Sequence, residues 1–106
     1  MNDKKVESDG PAGLWSVLRE IPRGRAAGYG DVGKALSPPV SGLLVGRWLC
    51  RCPEGTPWWR VVGKDGTLLI AKRDLIAARH QEHRLRAEGV EFIDEKVDMA
   101  RFGFEP

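Results

Sequence analysis

Pro57-Trp58-Trp59-Arg60-Val61-Val62 is the stretch that decides how the rest of this chain is read. Two adjacent tryptophans, half of the chain's four, stand between a proline and an arginine. The β-branched pair Val61-Val62 suits a buried strand. Gly63-Lys64-Asp65-Gly66 then offers turn chemistry before Thr67-Leu68-Leu69-Ile70, so a β-hairpin is expected here. Taken alone, the stretch also fits an edge strand whose aromatics are core, because Trp carries a large apolar surface. Its company matters more. Ile21-Pro22-Arg23-Gly24-Arg25, Gly28-Tyr29-Gly30-Asp31-Val32 and Leu44-Val45-Gly46 precede it in that order.

With 106 residues, 42% hydrophobic and 30% charged, the chain has room for one small domain with a modest core. No apolar run approaches the roughly 20 residues that span a bilayer. The polar start at Met1-Asn2-Asp3-Lys4-Lys5 does not read as a secretory signal. Residues 1–10 read as a flexible tail and residues 11–106 as the domain. Cys50 and Cys52, one residue apart, match neither a redox pair nor a zinc half-site, and reduced thiols in a cytoplasmic protein are expected. The net charge is only +2, but residues 19–64 hold eight Lys/Arg against three acids. A basic middle suits a nucleic-acid face; a solvated surface with a local imbalance is the plainer alternative.

The spacing of Leu14, Val17, Leu18 and Ile21 predicts a helix over 11–20, ended by Pro22. A loop follows, in which Arg23 and Arg25 flank Gly24 and can face a phosphate. Asp31 to Leu36 reads as a short helix with Val32, Ala35 and Leu36 inward. Ser37-Pro38-Pro39 breaks it, and Ser41 caps a second helix with Leu44, Val45, Trp48 and Leu49 on its buried side. Two helices joined by a tight turn form a helix-turn-helix pattern. Asp74 caps a long helix, Leu75 to Glu88, with Leu75, Ala78, Glu82 and Leu85 inward and Gly89 as its stop. A short strand at 90–93, a turn at Asp94-Glu95-Lys96 and a last helical turn after Asp98 complete the chain, with Phe92, Phe102 and Phe104 closing the core.

In order and spacing these segments resemble the DNA-binding domain of the O6-alkylguanine-DNA alkyltransferases, from about Leu14 to the C-terminus. In that family the stretch at 57–60 reads Pro-Cys-His-Arg, and its cysteine accepts the alkyl group. Here Trp58 stands at the cysteine position and Trp59 at the histidine position. A Trp in place of that cysteine marks the alkyltransferase-like proteins, which bind alkylated guanine without repairing it. The resemblance implies a mainly α fold with a small hairpin, of winged helix-turn-helix type. It implies a monomer that binds double-stranded DNA through the minor groove and flips O6-alkylguanine, marking it for nucleotide excision repair proteins. Tyr29 is then the residue that helps rotate the nucleotide out of the duplex. Trp58, Trp59, Arg60 and Leu49 form the lesion pocket, while Lys34, Ser41, Leu43, Arg47 and Arg51 contact DNA.

One departure stands out. The family places an arginine two residues before the Val-Gly pair, where it fills the hole left by the flipped base. At that position this chain has Leu43, which is expected to be exposed and to wedge between bases. Arg47, one turn on, is the candidate for the missing charge.

Other readings compete. A helix-turn-helix regulator without a lesion pocket would bind damaged and undamaged duplexes equally, or prefer one sequence. An active alkyltransferase needs a thiolate beside a base, and neither Trp58 nor Trp59 provides one, so Cys50 or Cys52 would have to act. Arg60 can simply pair with Asp31 or Asp65. Tyr29 can be an aromatic that covers the core. His80 and His83 share a helix face at metal-ligand spacing but lack a third ligand, so a solvated face is expected, with no metal and no cofactor.

Overall fold

A computed structural model describes residues 2–106, with side chains from Pro11 onward. Helix α1 spans Asn2–Glu20 and carries Pro11 inside it. The tail expected over 1–10 falls on residues outside those whose side chains are described. From Leu14 on, the expected stripe holds: Leu14, Leu18 and Ile21 are fully buried.

The chain then turns at Gly24, whose φ of +85° costs glycine nothing. Strand β1, Ala27–Gly28, leads directly into α2, Tyr29–Lys34. This helix begins earlier than the sequence suggested, with Gly28 at its N-cap. Val32 and Leu36 face inward as expected, but Ala35 is exposed. Helix α3, Gly42–Leu49, starts at Ser41, whose hydroxyl accepts the Leu44 N–H at 3.2 Å. A hydroxyl there satisfies one of the orphan donors of the first turn.

The stretch at 57–70 does not form the hairpin expected of it. Trp58–Arg60 is a 3-10 turn, and Val61–Val62 is strand β2. The turn after it forms, with Gly63 N–H bonded to Thr67 O, but no return strand follows. Leu69–Lys72 is a second 3-10 turn. Strand β2 instead pairs in parallel with β1, Ala27 opposite Val61 and Gly28 opposite Val62. Helices α2 and α3 supply the crossover that a parallel pair requires.

Alternation along β2 serves two cores. Val61 joins the cluster built by α1, Val32, Leu36 and Val45, whereas Val62 joins a second one with Ala26, Leu85, Val90 and Val97. Helix α4, Leu75–Ala87, closes that second core. Its buried residues are Ala78, Gln81 and Leu85, not Leu75 and Glu82. Gln81 earns burial by donating to the carbonyls of Trp59 (3.1 Å) and Val61 (2.8 Å), and Leu75 is 62% exposed. Strands β3, Phe92–Ile93, and β4, Lys96–Val97, make the one hairpin among the described residues, turning through Asp94 and Glu95 at positive φ. Helix α5, Met99–Phe102, ends the fold, with Phe92, Phe102 and Phe104 partly buried.

Candidate nucleic-acid interface and lesion pocket

Tyr29 owes its place to two glycines. Gly42 and Gly46 lie one turn apart on α3, on the side that meets α2. A Cβ on Gly42 would come within 3.1 Å of the Tyr29 Cβ, and one on Gly46 within 3.9 Å of its Cε1. The missing side chains form a notch that the phenol ring fills. Burial raises the Tyr29 pKa, and the nearby Arg73 charge offsets only part of that shift. The hydroxyl therefore stays protonated and can donate a hydrogen bond at neutral pH.

Beside this notch lies an open pocket of about 620 Å³. That is within the ~300–1,000 Å³ typical of small-ligand sites. Tyr29, Leu43, Arg47, Leu49 and Cys50 line it from α2, α3 and its C-cap, and Trp58 from the first 3-10 turn. Leu69, Ile70, Lys72 and Arg73 line it from the second. Tyr29, Leu43, Arg47, Leu49 and Trp58 thus converge although up to 29 residues separate them in sequence. Leu43 is 72% exposed, the highest value among the large hydrophobic residues described.

Trp59 and Arg60 do not line the pocket, which corrects the expected set. The two indoles meet edge to face, with centroids 6.2 Å apart and planes at 87°. Trp59 therefore points away from the pocket, against the second core. Its Nε1–H donates to Glu88 at 2.9 Å, and the Arg84 guanidinium lies 4.5 Å from its ring centroid. Arg60 pairs with neither Asp31 nor Asp65. Its Nη2 donates to Glu88 at 2.7 Å and its Nη1 to the Ile21 carbonyl at 2.9 Å. Asp65 instead accepts from Thr67 and Lys96, and these bonds hold its carboxyl at about 2.

Glu88 is the residue that sequence reasoning missed. Its carboxylate also accepts the Gly24 N–H at 2.9 Å, and its side chain is only 5% exposed. Desolvation pushes its pKa up. Hydrogen bonds from Arg60, Gly24 and Trp59, with the Arg60 charge, outweigh that and leave it below its usual value. One signal was present in the sequence. An acid at the C-terminal end of a helix opposes the macrodipole, so its presence there asks for a tertiary partner.

The remaining expected DNA contacts lie outside the pocket. Lys34 ends α2, Ser41 caps α3, and Arg51 follows it; all three are exposed. Arg23 and Arg25 are exposed too, but Arg25 Nη1 donates to the Gly103 carbonyl at 3.2 Å. Cys50 is exposed at the pocket and Cys52 half-buried, where burial raises its pKa.

Residues 12–90 match the model of the family described as 6-O-methylguanine DNA methyltransferase, DNA binding domain. The chain belongs to that family. Similar relatives include the DNA base-flipping protein of Escherichia coli (strain K12), 35% identical over 94% of this chain and 79% of that protein. Alkyltransferase-like protein 1 of Schizosaccharomyces pombe is also 35% identical, over 88% of this chain and 92% of that one. The fold matches a crystal structure of S. pombe Atl1 in complex with damaged DNA containing O6-carboxymethylguanine. That match has a TM-score of 0.78 and 26% identity, over 91% of this chain and 94% of the other. The mainly helical fold with its small strands is therefore the alkyltransferase-like DNA-binding fold.

Proposed function

We propose that this protein binds double-stranded DNA, rotates an O6-alkylguanine nucleotide into the pocket walled by Trp58, and holds it there without removing the alkyl group. The observation that carries this reading is the pocket itself. An apolar cavity opens beside a notched tyrosine, with an exposed leucine on its lining. An adduct on guanine O6 is hidden in the base stack, so its inspection requires extrusion. Tyr29 is suited to the push, because its ring is seated on glycines and its hydroxyl can donate to a phosphate. Leu43 is suited to fill the gap from the minor-groove side, with Arg47 on the same helix face supplying positive charge. Trp58 offers an aromatic face for the flipped base and apolar contact for its alkyl group.

Transfer of the alkyl group would need a thiolate and a base. Trp58 has neither function, and Trp59 is a donor whose N–H is already engaged by Glu88. A regulator that merely uses a helix-turn-helix has no need of a cavity behind its second helix, and the cavity favours the lesion reading. The bound lesion would then be passed to nucleotide excision repair proteins, with the protein acting as a monomer among the DNA of the cytoplasm. No helix among the described residues is long and apolar enough to cross a membrane.

Binding to matched duplexes with and without O6-methylguanine tests the proposal. The expected result is tighter binding to the lesion regardless of flanking sequence, with affinity falling as salt rises by about 0.9 log units per log unit for each neutralised phosphate. Equal affinity for both duplexes would leave only the regulator. Intact mass after incubation with the lesion should be unchanged; a gain of one methyl group would mean that Cys50 or Cys52 reacts.

A further inference from the structure

Helix α4 has one face that no other described part of the protein covers. Its inward side is Ala78, Gln81 and Leu85. At the start of the helix and away from that side, Leu75 is 62% and Ile76 71% exposed. Arg79, His80 and His83 stand three, four and seven residues after Ile76, so they continue its face, and all three are exposed. Folding does not ask for an isoleucine there. A β-branched side chain gains nothing as a helix former, and at an exposed position no packing compensates. Two adjacent large aliphatic side chains rimmed by polar ones form the kind of patch that marks an interaction surface. The charge on this face has one sign. Among the described residues Arg79 takes part in no ion pair, and Glu82, the one carboxylate within α4, is held by Arg86 at 2.7 Å. Asp74 is occupied at the start of the helix, where it accepts the Ala77 N–H at 3.0 Å.

We propose that the outer face of α4 is a docking site for an acidic amphipathic helix of a partner protein. That helix lays its apolar stripe over Leu75 and Ile76 and sets its carboxylates along Arg79, His80 and His83. Such a partner satisfies both halves of the face at once. Duplex DNA supplies negative charge but no apolar surface beside its phosphates, so it would leave the two aliphatic side chains wet. A second copy of this chain, meeting the same face through a two-fold axis, would bring like charges together. No residue of α4 lines the lesion pocket, so the docking site does not depend on what the pocket binds.

The experiment pans a displayed library of helical peptides, about four turns long, on the full chain. The double variant Leu75→Ser, Ile76→Ser serves as counter-selection. Both positions are exposed, so the variant should keep its stability, which urea unfolding checks. Selected peptides should carry an excess of Asp and Glu beside large apolar residues at i, i+3, i+4 and i+7 spacing. In fluorescence anisotropy titrations, a synthesised winner should bind the double variant at least about tenfold more weakly, the scale of losing a large aliphatic anchor. Arg79→Glu should weaken it too, most at low salt, and replacing the peptide's acids by Lys should abolish binding to the wild type. No enrichment over the counter-selection, or winners without acidic residues, would overturn the proposal. A wild type that dimerises in sedimentation equilibrium beside a monomeric double variant would give the face to a second copy and overturn it as well. Binding to plain and O6-methylguanine duplexes is measured alongside and should be the same in the double variant as in the wild type. A loss there would place Leu75 and Ile76 in the DNA interface instead, which also overturns the docking site.

Discussion

Replacing Leu43 by alanine separates a wedge from an ordinary helix residue. Leu43 sits in the first turn of α3, lines the pocket and is 72% exposed. In the free protein it therefore supports little of the fold. Alanine there should change unfolding free energy by no more than about 0.5 kcal/mol, as for most surface positions. In the lesion complex the same side chain would be driven into the base stack. Full burial of a leucine is worth about 1.5–3 kcal/mol. With roughly three-quarters of its surface still open in the free state, insertion should recover ~1–2 kcal/mol, or about 5- to 30-fold in affinity. Titration of a labelled O6-methylguanine duplex reads this loss. The plain duplex, which has no vacated position to fill, should lose less. Leu43→Arg should keep or raise lesion affinity while steepening its salt dependence, because a guanidinium adds a charge near the phosphates. Normal lesion binding by Leu43→Ala, with loss in Arg47→Ala, would refute the wedge and make Arg47 the filling residue.

Three further outcomes follow from the geometry. Tyr29→Ala should weaken lesion binding more than plain-duplex binding, because only the specific mode meets the unstacking cost of a few kcal/mol; equal losses in parallel titrations would reduce Tyr29 to a packing residue. Trp58→Cys should not gain methyl transfer by intact-mass measurement, since no base adjoins the new thiol; Trp58→Cys with Trp59→His, which sets an imidazole toward Glu88, is the variant expected to show some. Glu88→Gln should destabilise the protein by about 1.5–3 kcal/mol in urea unfolding, the scale of charge-assisted hydrogen bonds lost by the half-buried Arg60. The wild type should show the same dependence on pH: the Glu88 pKa is lowered by folding, so its contribution is complete above the ordinary Glu value near 4.3 and disappears as pH falls through the lower folded value. Stability that stays flat from pH 5 to about 3 would contradict this.

The parts of the fold written locally were legible in the sequence. Helical spacing placed the buried face of α1, the Ser41 hydroxyl announced the start of α3, and Asp74 and Gly89 bracketed α4. What misled was pairing at a distance. Val61-Val62 followed by a glycine turn has every local mark of a hairpin strand, yet its partner is Ala27-Gly28, whose two small residues carry no strand signal at all. The site divided in the same way. Tyr29, Leu43, Leu49 and Trp58, singled out through the resemblance to a family, line one pocket. Trp59 and Arg60 do not, because neighbours along a 3-10 turn leave on different sides, and only the buried Glu88 reveals which side each takes. Lys72 and Arg73 were invisible as lining, since nothing in their spacing tells which way a 3-10 turn will face.

The two-rung ladder between β1 and β2 has a consequence for when this protein can work at all. Tyr29 follows one strand immediately and Trp58 stands three residues before the other. The gap that would receive a base is thus calibrated by backbone bonds between segments far apart in the chain, with α2 and α3 looped between them. Such distant parallel contacts form only after the loop entropy has been met, late in folding. No fragment ending before Val61 would contain the ladder. Partial unfolding that frees β2 should erase lesion discrimination in a single step, while the exposed cations Lys34, Arg47 and Arg51 still hold DNA of any kind.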